Sequence, residues 1–494
     1  MKFRLQLLLV MIVSILTSSL SSFAYDFEVD GIYYNIISAA DRTCEVTSGD
    51  VKYAGDIVIP SSVVYKNNTV SVIKIRQSTF RDCSSLTSIV IPNSITSIED
   101  YTFYHCSSLT TIEIPNSIKG IRPYAFSECS SLTSIHIPES VTWIGDGAFS
   151  GCSSLTSIEI PNSVTSIGES AFEDCSSLTS IETPNSITSI EDYTFYHCSS
   201  LTTIEIPNSV NSIGKAAFSN CSSLTSIEIP NSVTSIGSSA FSNCTSLSKI
   251  QLSENLTRLE YCLFNDCTSL QSLTIPGSIR SIVFYQVSAI YHYKYPTFSS
   301  SIKSIRFDYS DEYLEPDYYN ASNEMYGETS WYYDEEVTMF TNQIEKLYID
   351  RNIRCKNNLG NFLSVKSLKE LIIGEHINTI DIVAYEATNL SSITCFASIP
   401  PKSIGLTQSQ YTDIILKVPY EALDAYKNAE GWKNFWNIEG FDPAGADDVT
   451  TGFSDPSNHK EVSRYTLNGQ AVSEDYKGVV IVRFSDGTTK KIMQ

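Results

Sequence analysis

A Cys recurs every 23 residues, at Cys83, Cys106, Cys129, Cys152, Cys175, Cys198, Cys221, Cys244 and Cys267. Three residues before each stands a Phe, from Phe80 to Phe264, and three after each a Leu, from Leu86 to Leu270. A period of this length marks a unit that cannot bury its own apolar groups and must stack on copies of itself. Within one unit, Ile158 and Ile160 alternate with polar residues, the period-two pattern of a short half-buried strand. Pro161-Asn162-Ser163 ends it, because Pro cannot donate to a ladder and Asn suits turns. Val164 and Ile167 start a second apolar segment, Gly168 permits a tight bend, and Ala171-Phe172 reads as a helical or extended corner plugging the interior. The expected fold is a β-rich solenoid of 23-residue coils with capped ends. Nine coils at parallel-strand spacing span about 40 Å.

In-register stacking also bears on the cysteines. Parallel Cα–Cβ vectors about 4.8 Å apart exceed the usual Cβ separation of a disulfide, so the column reads as buried free thiols. Cys44, Cys262, Cys355 and Cys395 lie outside it, and their pairing stays open. A flat column offers no tetrahedral metal cluster, and no cofactor is expected.

The repeated C-S-S-L-T-S-I-x-I-P-N-S-V-x-x-I-G-x-x-A-F blocks resemble the BspA-type leucine-rich repeats of bacterial surface proteins, over about residues 25 to 440. Ile57-Val58-Ile59-Pro60, leading to Phe80, resembles that family's N-terminal cap. Val418-Pro419, Tyr426, Trp432, Phe435 and Ile438 resemble its closing motif, with 420–428 as a short helix. The resemblance implies surface exposure and adhesion to host matrix proteins. It marks no individual binding residue.

The chain divides accordingly. Residues 1–24 read as a signal peptide, with Lys2 and Arg4, an apolar run from Leu5 to Leu16, and small residues before a cut at Tyr25. The N-terminal cap is 25–79, the regular repeats 80–282, an irregular acidic and aromatic insertion 283–346, degenerate repeats 347–399, the C-terminal cap 400–441, and a linker 442–462. A β tail, 463–494, carries Asn468-Gly469 and Asp486-Gly487 between alternating apolar residues, a signature of hairpins. It resembles the C-terminal sorting domains of type IX secretion.

The formal net charge of -22 excludes nucleic acid and anionic membrane surfaces as partners, since both require a basic patch. No mature segment is apolar and long enough to span a bilayer. Two surfaces are candidates for binding. The position between the paired Ile residues carries Glu113, Glu159, Glu182, Glu205 and Glu228, with His136 interrupting. Like charges at strand spacing repel; they suit a cationic partner, and they also guard a flat strand face against aggregation. The second surface is 308–340, where Tyr313, Tyr318, Tyr319, Trp331, Tyr332 and Tyr333 are interleaved with acids. Aromatics are favoured in recognition, and a departure from the repeat template is a place for function. Its acids match no calcium-loop spacing.

Residues 83–117 and 175–209 differ only at Val90/Glu182 and Ile91/Thr183, an internal duplication that suits a multivalent surface or spacer. The six His fall in no metal or nucleophile motif, and His105 and His197 are copies of each other in the duplicated blocks. The function expected is a non-catalytic surface protein binding a host matrix protein, a bacterial surface protein or a glycan. A structural spacer is the alternative, and a glycan-acting enzyme accessory using paired acids a remote one.

Overall fold

The computed structural model describes residues 25–286, 294–295, 298–320, 344–353, 365–378, 387–402, 406–443, 461–466, 479–484 and 489–493. The signal-peptide reading therefore lies outside the described residues.

The array is a β-rich leucine-rich-repeat solenoid. Strands pair in parallel with neighbours one period away, so Ile89 faces Ile112, Ile158 faces Ile181 and Ile227 faces Ile250. A second ladder runs through Ile98, Ile121, Ile144 and Ile167, and again through Ile190, Ile213 and Ile236. The corner that reads as helical or extended is neither. It is a run of turns whose N–H groups donate to the next coil, as Phe126 N does to Ala148 O at 2.8 Å. Two residues per corner are left-handed, for instance Ser170 (φ 54°) and Asp174 (φ 57°). Gly168 is needed for a different reason than a bend. A Cβ there would sit 2.5 Å from Asp146 N, so the residue marks a close approach between coils.

The interior is a set of columns. Phe80, Phe103, Phe126, Phe149, Phe172, Phe195, Phe218, Phe241 and Phe264 stack at 5.2 to 6.1 Å between ring centroids. The column thiols are free and buried as expected; Cys44, Cys262 and Cys395, whose pairing the sequence left open, are also free and buried, and Cys355 lies outside the described residues. Each Sγ from Cys106 to Cys267 donates to the Phe carbonyl of the preceding coil at 3.0 to 3.2 Å.

At the N-terminal end, strands Phe27–Val29, Ile32–Ser38, Thr43–Thr47, Asn68–Ile75 and Ser62–Tyr65 form one sheet in that spatial order. Tyr53 lies against Phe80 (4.7 Å) and begins the aromatic stack. Its hydroxyl donates to Thr47 O (2.6 Å) and accepts from Tyr33 N (3.0 Å).

The acidic and aromatic stretch starts as a strand. Ser304–Asn320 is continuous over 17 residues. Its first part pairs with Ser272–Ile275 and Lys346–Ile353, and its last part with Ser281–Gln286. Without a Pro-Asn-Ser break after Phe307, the two short strands of a normal coil fuse into one. The parallel ladder continues through Glu370–Ile373, Ser392–Cys395, Ile415–Pro419 and Asn437–Phe441.

A 3-10 turn, Tyr420–Ala422, and helix Leu423–Asn428 cover the last coils. Trp432 is fully buried and donates Nε1–H to Pro401 O at 2.7 Å. Helix Gln408–Asp413, with a Thr407–Gln410 capping box, is not foretold by the repeat pattern. The tail forms the expected small antiparallel sheet from Glu461–Thr466, Val479–Phe484 and Thr489–Met493.

Candidate binding surface

The strand position between the two buried Ile residues points outward because successive side chains of a strand alternate between faces. Backbone register places Val90, Glu113, His136 and Glu159 on neighbouring coils, and likewise Glu159 beside Glu182 and Glu228 beside Gln251. Glu205 is exposed but lies outside a named strand. In the coil before it, Thr183 replaces the usual Ile, and its hydroxyl donates to Glu205 O at 2.6 Å. All five glutamates are exposed. Among the described residues, none of their carboxylates has a hydrogen-bond or ion-pair partner.

Beside the glutamates runs a line of threonines. The hydroxyls of Thr110, Thr156, Thr179, Thr202 and Thr225 donate to the Thr carbonyl of the preceding coil at 3.2 to 3.4 Å. The result is a flat polar face fixed at the backbone and acidic at its centre. The stacked coils fix the backbone positions of the glutamates, and among the described residues nothing bonds to their carboxylates, so their acceptor capacity stays available to a partner.

Tyr313, Tyr318 and Tyr319 belong to the strand Ser304–Asn320; Tyr318 pairs in register with Phe284 and Tyr319 with Tyr285. Trp331, Tyr332 and Tyr333 lie outside the described residues. The glutamates thus form one line, and the aromatic candidates are not brought onto it by any described contact.

Sequence reasoning missed one cluster. Arg306 Nε donates to Asp308 Oδ1 at 2.6 Å while its guanidinium lies over the Tyr348 ring at 4.4 Å. Nearby, buried Asp350 accepts from the backbone N–H of His376 (3.1 Å) and sits 3.0 Å from its Nδ1. Burial and the Asp350 carboxylate push the Tyr348 phenol well above its ordinary range. No spacing signal marks these residues, because they come from coils whose period has lapsed. The surface histidines of the duplicated blocks each place Nδ1 against an Asp of the preceding coil, His105 against Asp82 (3.2 Å) and His197 against Asp174 (2.6 Å).

Residues 73–202 and 188–313 match the family model described as "BspA type Leucine rich repeat region", in six copies. Similar solved structures include a leucine-rich repeat protein from Bacteroides ovatus, 23% identical over 75% of this chain and all of that one, TM-score 0.43. A T. pallidum leucine-rich repeat protein is 27% identical over 45% of this chain and 90% of its own, TM-score 0.36. A leucine-rich cell surface protein from Faecalibacterium prausnitzii is 23% identical over 69% and 97%, TM-score 0.35. No curated protein matches the sequence. Among the described residues, no helix is long and apolar enough to cross a membrane, and no group of three or more His, Cys, Asp or Glu could hold a metal ion.

Proposed function

We propose that this protein is exported through its N-terminal signal, displayed at the cell surface, and binds a cationic protein partner through the glutamate ladder without catalysis. One observation carries this reading: five exposed carboxylates lie along one face of the stacked coils, and among the described residues none has a hydrogen-bond or ion-pair partner. Stacked like charges weaken a sheet, and a basic partner relieves that repulsion. The BspA-type repeats and the resemblance of the tail to sorting domains support display and adhesion, with a host matrix protein or another bacterial surface protein as partner.

The test is a matrix-protein and surface-protein array probed with the mature chain. Glu159→Gln, Glu182→Gln and Glu205→Gln together should abolish capture of basic partners, and capture by the unaltered protein should weaken as salt rises. Capture that survives both changes would remove the ladder from the interface. It would then fall to the 308–340 stretch, tested by Trp331→Ala, Tyr332→Ala and Tyr333→Ala. Substitution is preferable to deletion there, since parallel strands Ser304–Asn320 and Lys346–Ile353 require a crossover connection between them.

A further inference from the structure

The duplicated blocks build similar surface clusters, the first with Tyr124 of the next coil stacked on Tyr101 at 5.0 Å and the second with Ala216 in that place. In the first, the Tyr101 and Tyr104 rings meet at 5.7 Å and 69°, and Tyr104 meets His105 at 6.2 Å and 61°. In the second, Tyr193 and Tyr196 meet at 5.7 Å and 73°, and Tyr196 meets His197 at 6.2 Å and 59°. Each imidazole offers Nδ1 to an Asp, Asp82 or Asp174, and among the described residues its Nε2 has no partner at His105 or His197. Each cluster also has a cation 5.6 Å from its first Tyr ring, Arg81 of the preceding coil over Tyr101 and Lys215 of the following coil over Tyr193, and Arg81 lies 4.8 Å from the Tyr104 ring as well. The tyrosines are half-buried and the histidines exposed.

The fold does not require these side chains. Tyr101, His105, Tyr193 and His197 are all left-handed (φ 56° to 59°), a conformation unfavourable to a bulky residue such as Tyr. Sister coils put Ser78, Ser170 and Ser239, but also Tyr124, at the Tyr position, and Asn220 and Asn243 at the His position, all left-handed. The tyrosines are present in spite of the backbone, whereas His, like Asn, tolerates this region. Strain that the fold does not need points to a role outside it.

We propose that the two clusters are twin subsites for one neutral, hydroxyl-rich polysaccharide that bridges them along the solenoid. This goes beyond the glutamate ladder but rests on the reading of the protein as a binding scaffold. The clusters are 92 residues apart, four 23-residue coils, or about 19 Å at parallel-strand spacing. They are related by the translation that stacks the coils. A ligand that meets both in the same way must itself repeat by translation, as a linear polymer does and a two-fold dimer does not. The chemistry favours a saccharide. Sugar hydroxyls donate to Nε2 and to carboxylate oxygens and accept from tyrosine hydroxyls, and the apolar face of a sugar ring rests on a Tyr ring. Each cluster pairs an Asp with a cation, and the chain carries -22, so a polyanion is disfavoured.

The experiment is affinity electrophoresis of the mature chain in galactomannan, mixed-linkage β-glucan and neutral mucin-type glycan, with polygalacturonate as the acidic control. At least one neutral polymer should retard the protein. Tyr101→Ser with His105→Asn, or Tyr193→Ser with His197→Asn, should each cost on the order of a hundredfold in affinity, because one subsite loses the effective concentration supplied by the other. Oligosaccharides too short to reach both clusters should bind weakly and equally to all forms. These substitutions copy sister coils and should leave the melting temperature in place; Tyr104→Ala and Tyr196→Ala serve as a second pair. Glu159→Gln, Glu182→Gln and Glu205→Gln together should leave retardation unchanged, so this inference and the ladder can fail separately. The proposal is overturned if no neutral polymer retards the protein, if only the acidic one does, if a cluster variant binds like the unaltered chain, or if the variants lose a repetitive protein such as collagen instead.

Discussion

The Cys residue of each coil shows how position decides chemistry. A thiol is reactive as its thiolate. Burial pushes Cys152, Cys221 and Cys267 up to about 12, and Cys44, Cys262 and Cys395 up to about 11. At pH 8 iodoacetamide should therefore leave these six unmodified in the folded chain and label them all after denaturation; mass spectrometry of native-labelled protein showing any one carbamidomethylated would contradict this. The thiol is also a donor. Cys175→Ala strips Phe149 O of its S–H partner and leaves a small void, for a loss of about 1–3 kcal/mol. Cys175→Ser keeps a donor, and chemical denaturation should show it to be the milder change. Asp56 makes the opposite electrostatic point. Hydrogen bonds from Ser88 Oγ (2.6 Å) and Thr87 Oγ1 (2.8 Å) hold its carboxyl below the ordinary range. A depressed carboxylate contributes stability above its unfolded value, and that contribution disappears as pH falls through the folded value. An NMR titration should find Asp56 low, and Ser88→Ala should raise it toward about 3.9.

At the scale of the element, the strand and the corner were unequally legible. The alternation Ile158-Glu159-Ile160 foretells both the strand and its exposed glutamate, because period two is a property of the chain itself. The corner is different. Its left-handed residues include Tyr101, Glu128, Ala216 and Cys262, types with no preference for that region. Stacking imposes the conformation from outside, as alternate corner N–H groups, those of Tyr101, Phe103 and His105 for example, reach carbonyls of the next coil. No local signal could have shown it. The fused strand Ser304–Asn320 was hidden for a related reason: its acids and tyrosines resemble a loop, yet the adjoining coils supply partners along its length. The corner makes a direct prediction. Asn220 (φ 62°) tolerates the left-handed region, whereas a β-branched residue there is penalised. Asn220→Val should cost about 1–2 kcal/mol, while Asn220→Gly should stay within a few tenths of neutral. Equal melting midpoints for the two variants would show that the corner is free to relax.

Across the whole molecule, the columns do not run from end to end. The 23-residue Phe series ends at Phe264, already loosened to 6.1 Å from Phe241, and among the described residues the thiol-to-carbonyl bonds end with Cys267. Beyond that point neighbouring coils are joined mainly by the strand ladder and its buried Leu and Ile residues, until Tyr426 and Trp432 close the far end. In a stacked array, stability is roughly the sum of coil terms and nearest-neighbour interfaces, so cooperativity breaks where interfaces are weakest. The fully columnar part, 80–267, should therefore unfold as one unit, and 298–441 as another of lower stability. Hydrogen exchange in mild denaturant should show Ile393 and Leu416 losing protection before Ile158 and Ile227. Phe172→Ala, which opens a gap in the middle of the stack and should cost about 3–5 kcal/mol, should lower the first unit while leaving the exchange of Leu416 unchanged. Trp432→Ala should do the reverse. If either substitution lowers protection evenly from Leu86 to Leu416, the coils share one cooperative transition, and the end of the Phe and Cys columns carries no energetic boundary.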